Sequence, residues 1–224
     1  MTLFCALSYK EWMKTRRILG VCVLVFAAVL LYSFIEVRHD MRLESAENVW
    51  YSFIFQGMSV APLFMWIPPL AGLSVAVSQF VPEMTNKRLK LTLHLPAGET
   101  HIMLDMLLYG VASLAILFVV FEVLLIGLMR IYLPWEIVSS MLIQHLPWLA
   151  AGIAAYGFAS WICIEPQWKQ RILNALIAIS GLSILFITTL PESYIRFGWG
   201  MILIVIVSVF APLLSCARFK NGIQ

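Results

Sequence analysis

Apolar residues in this chain come in long runs, separated by short polar breaks. Six runs approach or exceed the roughly 20 residues needed to cross about 30 Å of hydrocarbon: 18–35, 51–81, 102–128, 146–164, 172–190 and 197–215. The first 17 residues read differently. Cys5, Tyr9, Trp12 and Met13 share one helical face, and Lys10, Lys14 and Arg17 share the other. Leu3 and Leu7 fall on the basic side. This pattern predicts an interfacial helix with aromatic anchors and a basic side toward lipid phosphates. A basic start before an apolar run also resembles a signal peptide. The run is too long for one, and no small-residue cleavage site follows, so an uncleaved span is expected.

The run 51–81 is too long for one straight span, and Pro62, Pro68 and Pro69 interrupt it. An interior proline removes a helix hydrogen bond and costs about 3 kcal/mol. A kinked or broken second helix follows, with Pro68-Pro69 marking the break. Residues 36–50 read as a polar loop, and 130–145 as an interfacial segment anchored by Trp135. The longest polar stretch is 82–101. There Leu89, Leu91, Leu93 and Leu95 alternate with Lys90, Thr92 and His94, which is strand periodicity. A lone strand would leave its backbone groups needing partners. No glycine or proline lies between Glu83 and Leu95, so a short helix is the preferred reading.

Composition strengthens the membrane reading. Of 224 residues, 62% are apolar and 12% charged, and a soluble fold of this size could not hide so much apolar surface. The expectation is an all-α integral membrane protein: one transmembrane domain over residues 1–224, with an interfacial elbow helix and six spans. Lysine and arginine orient it. With the amino end inside, the inner segments hold Lys10, Lys14, Arg16, Arg17, Lys87, Arg88, Lys90, Lys169, Arg171, Arg218 and Lys220. The outer ones hold Arg38, Arg42, Arg130 and Arg196. Eleven against four places both ends in the cytoplasm. The net charge of +3 is too small to suggest nucleic acid.

Candidate chemistry is sparse. No phosphate-cradling GxxxxGK[ST], HExxH or GxSxG motif occurs, so the chain is not expected to be an enzyme or to hydrolyse ATP itself. Cys5, Cys22, Cys163 and Cys216 show neither disulfide nor metal spacing. His39, His94, His101 and His145 fall near span ends, and none pair within a span as haem ligation needs. His101 and Asp105 stand i, i+4 and could share a ligand; interfacial polar residues at a helix end are the plainer reading, and no metal is expected. Glu122 falls deep in the third span, where a carboxylate is costly. It reads either as a proton or substrate contact in a polar cavity or as a hydrogen-bonded glutamate between helices. Asn174 in the fifth span is a second cavity candidate, read rather as interhelical glue. Ala151, Ala155 and Ala159 form a small-residue stripe that admits another helix, from this subunit or a partner.

The 82–101 segment carries a resemblance. An acid (Glu83) is followed by basic residues (Lys87, Arg88), leucines (Leu89, Leu93) and Pro96 with small residues after it, between the second and third spans. Together with an amphipathic start and six spans, this resembles the permease subunits of ABC-2 type transporters. The usual glycine-threonine pair ahead of the leucines is replaced by Lys87-Arg88-Leu89, and the basic residue opening the third span by Asp105. The resemblance implies that Glu83, Lys87, Arg88, Leu89, Leu93 and Pro96 contact a separate ATPase subunit. It also implies two such ATPases holding ATP and Mg, a second permease subunit, identical or homologous, and export across the plasma membrane, a bacterial inner membrane being the expected setting. The alternative is a membrane-bound scaffold or cofactor-bearing subunit of an electron-transfer or assembly complex.

Overall fold

The computed structural model describes residues 3–44, 46–55, 57, 59–85, 98–190 and 193–220. Seven α-helices occur among them: α1 (Leu3–Leu43), α2 (Ala46–Phe55), α3 (Ile67–Thr85), α4 (Glu99–Met129), α5 (Trp135–Ile164), α6 (Trp168–Ser183) and α7 (Gly198–Lys220). Six helices are long and apolar enough to cross a membrane, α6 being extended to Phe186 by a 3₁₀ turn. Their outward faces are apolar, as with Val119, Val120 and Val123 of α4 and Ile202, Leu203 and Ile206 of α7. Such a surface suits lipid rather than water.

The expected interfacial helix is not a separate element, because α1 continues without a break from Leu3 to Leu43. The same helix takes in 36–43, expected to be loop. Residues 135–145, expected at the interface, are the first three turns of α5, so the fourth crossing begins eleven residues earlier than 146. Polar turns at the end of a long helix read as loop by composition, yet nothing in them breaks a helix. The second apolar run is broken, as its prolines predict. The break lies between α2 and α3, ahead of Pro68-Pro69. Gly57 takes φ 66 there, which glycine permits without a Cβ penalty, and Pro62 opens a 3₁₀ turn, Pro62–Met65. Pro68 and Pro69 fall in the first turn of α3, where backbone N–H groups lack helical partners anyway.

Helix α5 is the hub. Within 151–161 only Ile153 is not buried. Small residues let two neighbours approach its backbone. A Cβ on Gly72 of α3 would run into the Gly152 carbonyl oxygen, and one on Gly157 would meet Ser208 O of α7 at 2.5 Å. The stripe Ala151, Ala155 and Ala159 is buried inside the subunit, which answers where it packs. Polar side chains add a lock across three helices. Gln79 Nε2 donates to Met106 O at 2.8 Å, and Tyr156 Oη donates to Gln79 Oε1 at 2.8 Å. An aromatic cluster of Phe26, Phe64, Phe118 and Phe121 ties α1, the 3₁₀ turn and α4 together.

Contacts along the helices fix their directions. Thr15 meets Tyr109 and Phe34 meets Tyr132, so α1 and α4 run the same way. Lys14 meets Glu83 and Phe26 meets Phe64, so α3 runs oppositely. α5 runs with α3, and α7 with α5. One end of the bundle therefore carries the start of α1, the end of α3, the start of α4, the end of α5 and the end of α7. The segment 86–97 joins α3 to α4 at that end, here called the loop end.

Candidate functional site

Glu83 is the one residue of the expected ATPase contact that falls on described chain; Lys87, Arg88, Leu89, Leu93 and Pro96 lie outside the described residues. It sits in the last turn of α3 and is 1% exposed. Burial of a carboxylate requires charge partners, and α1 supplies them. Lys10 Nζ lies 2.9 Å and Lys14 Nζ 2.7 Å from Glu83 Oε1. Lys14 also bonds Glu11 Oε1 at 2.7 Å, and Glu11 is fully buried. Two lysines and two glutamates thus form a cluster of zero formal charge between α1 and α3. One turn along α1, Thr15 Oγ1 shares a 2.8 Å hydrogen bond with Tyr109 Oη of α4. Residues 10–15 of α1 therefore hold both helices from which the 86–97 segment springs.

A second polar cluster lies at the same end. Glu165, fully buried just past α5, is bonded by Ser215 Oγ and lies 3.3 Å from Arg218 of α7. Arg171 of α6 donates to its backbone oxygen at 2.7 Å. Asn174 belongs here. In one amide orientation its Oδ1 accepts from Gln170 Nε2 at 3.0 Å and its Nδ2 is 3.5 Å from Glu165 Oε2. In the other, its nitrogen donates to Gln170 O at 3.1 Å while its oxygen accepts from Trp161 Nε1 at 3.3 Å. In both, Asn174 joins α6 to the carboxyl end of α5.

Glu122 lies elsewhere. It is seven residues before the end of α4 and is bonded through Oε1 to His145 Nδ1 of α5 at 2.9 Å. His145 is fully buried, and because α5 begins at Trp135 it lies three turns inside the helix rather than at its start, where the sequence reading put it. Its ring lies 4.7 Å from that of Phe64 and 5.2 Å from that of Trp148. His145 and Glu165 are 20 residues apart along α5, or about 30 Å at 1.5 Å per residue. Glu122 and Asn174 thus do not share a cavity. His101 Nε2 and Asp105 Oδ2 approach to 3.8 Å. Among the described residues no three His, Cys, Asp or Glu side chains are grouped as a metal would need.

Three partners escaped the sequence reading: Lys10 and Lys14 for Glu83, and His145 for Glu122. Each lies on a different helix from its acid, and only the spacing of charges within a span was visible beforehand. No protein-family model matches this chain, and no curated protein and no solved structure matches it either.

Proposed function

We propose that this chain is the membrane-spanning permease subunit of an ABC-2-like transporter. In this reading it is a multi-pass protein of the plasma membrane. It pairs with a second permease subunit and exports a substrate between the two. ATP and Mg are handled by two separate ATPase subunits, docked against the 82–101 segment on the cytoplasmic side.

One observation carries the reading: residues 10–15 of α1 clasp both stems of that segment, through Lys10 and Lys14 to Glu83 and through Thr15 to Tyr109. Such a mount suits a segment that receives a mechanical input, because the push then reaches the bundle as a rigid displacement rather than fraying the nearest turn. The Gln79 to Met106 bond braces the same two stems further in.

The test is Leu89→Asp and Leu93→Asp. Apolar side chains would fill the ATPase groove while the nearby charges set register. Each variant should insert into the membrane normally yet lose association with the ATPase in a pull-down, or lose transport-stimulated hydrolysis. If the segment only fixes topology on anionic headgroups, both variants should behave as wild type, and Lys87, Arg88 and Lys90 should be the sensitive positions.

A further inference from the structure

We propose that Glu122 and His145 together bind one exchangeable proton inside the helix bundle. This would give the chain a proton site far from its loop end and independent of ATPase docking.

The position comes first. His145 is the eleventh residue of α5 and is 0% exposed; Glu122 is 9% exposed and faces it across a 2.9 Å contact. The rings of Phe64 and Trp148 lie against His145, and Phe64 in turn stacks on Phe121 at 4.5 Å. An ionisable residue in such surroundings costs several kcal/mol if left charged and alone.

Charge accounting comes next. With one proton between them, the two groups are neutral overall, either as carboxylic acid and imidazole or as carboxylate and imidazolium. When that proton leaves, an O–H or N–H bond breaks. The electron pair stays on the oxygen or nitrogen, and the proton passes to water. One negative charge remains in an apolar box. Burial therefore opposes loss of this proton, and its exchange needs water to reach the pair.

The site also has unused bonding capacity. Glu122 Oε2, His145 Nε2 and Trp148 Nε1 are all buried with no hydrogen-bond partner among the described residues. Glu11 Oε2, Glu83 Oε2 and Glu165 Oε1 of the charged clusters at the loop end are unmatched in the same way; what sets this site apart is a neutralisable acid–imidazole pair with no lysine or arginine bonded to it.

An acidic pocket lies on the other side of the Pro62–Met65 turn. A pocket of about 400 Å³ is lined by Glu36 and Asp40 of α1, by Glu44 just past its end, by Ser52 and Ser59, and by Pro62. The three carboxylates recur at i, i+4 and i+8, one face of a helix, and raise the local concentration of cations, protons included. Two residues after Pro62, Phe64 covers His145. One short turn thus borders both the acidic pocket and the buried pair. The other described charged groups toward this end, Arg38, His39 and Arg42 of α1, Glu47 of α2, Arg130 after α4, Glu136 of α5 and Arg196 before α7, are exposed. The Pro62–Met65 turn has no ionisable group.

The experiment is pH-difference infrared spectroscopy on the full chain in lipid bilayers between about pH 5 and 8. Wild type should give a carboxyl or imidazole signal that Glu122→Gln abolishes and His145→Gln displaces. A signal that persists unchanged in Glu122→Gln, or no signal in wild type, overturns the proposal. Because either replacement could loosen the bundle, a second measurement leaves both groups in place. The indole of Trp148 senses a change of charge beside it, whichever group carries the proton. Wild-type tryptophan emission should change with pH over the same range, and Trp148→Phe should remove that change. Emission from Trp148 that is flat across the range also overturns the proposal.

Discussion

At the scale of single residues, buried charge organises this molecule more than its composition suggests. Glu11 and Glu83 are almost wholly buried, and both depend on Lys14, whose side chain is 15% exposed. Without Lys14, Glu83 keeps Lys10 at 2.9 Å, but Glu11 loses its close partner and is left with Lys10 at 3.9 Å, so the loss falls mainly on Glu11, at up to about 3 kcal/mol. Lys14→Ala should therefore lower the thermal midpoint of the purified protein markedly. Arg16→Ala and Arg17→Ala, at exposed positions on the same helix, should change stability by no more than about 0.5 kcal/mol. Equal melting of all three variants would mean that the cluster contributes nothing beyond surface charge. Glu83 was legible beforehand as the acid opening a polar segment, but its role as the far end of a clasp was not. That role depends on α1 and α3 lying antiparallel with residues 10–14 level with residue 83.

At the scale of elements, helix packing turns on a few glycines. Gly72 and Gly152 bring the α3 and α5 backbones into direct contact, and a methyl group on Gly72 meets a carbonyl oxygen rather than a side chain that can swing away. Overpacking of this kind costs about 1–3 kcal/mol. Gly72→Ala should lower stability by that order in a detergent melt. Gly127→Ala on α4, with nothing within 4 Å of the added carbon, should be neutral or slightly stabilising, because alanine is the better helix former. If Gly72→Ala melts like wild type, the close approach of the two helices is wrong. The sequence pointed to a small-residue stripe on this helix through Ala151, Ala155 and Ala159. It could not tell which flank meets α3 and which meets α7, since α5 is small on several sides and its neighbours are distant in sequence.

At the scale of the whole molecule, six crossing-length helices put both described ends of the chain at the loop end of the bundle, with the lysine-rich segments. Reporter fusions at the carboxyl terminus and in the connections should be active on the cytoplasmic side for the loop end and on the outer side for the 130–135 connection. A carboxyl-terminal reporter active only outside would reverse the topology. The number of spans was readable from the chain itself, because a bilayer demands an unbroken apolar length that shows directly as a run of residues. The break in the second span was readable for the same kind of reason: proline and glycine act on their own backbone. Helix limits were less so. Residues 36–43 and 135–145 are polar enough to read as loop or interface, yet they continue helices that project beyond or into the bundle. Tertiary structure alone decided the partnerships, Lys10 and Lys14 with Glu83, Glu122 with His145, and Glu165 with Arg218. A hydrogen bond between two helices depends on their relative rotation and axial offset, and those are set by the sum of side-chain contacts along both, which no single stretch of sequence contains.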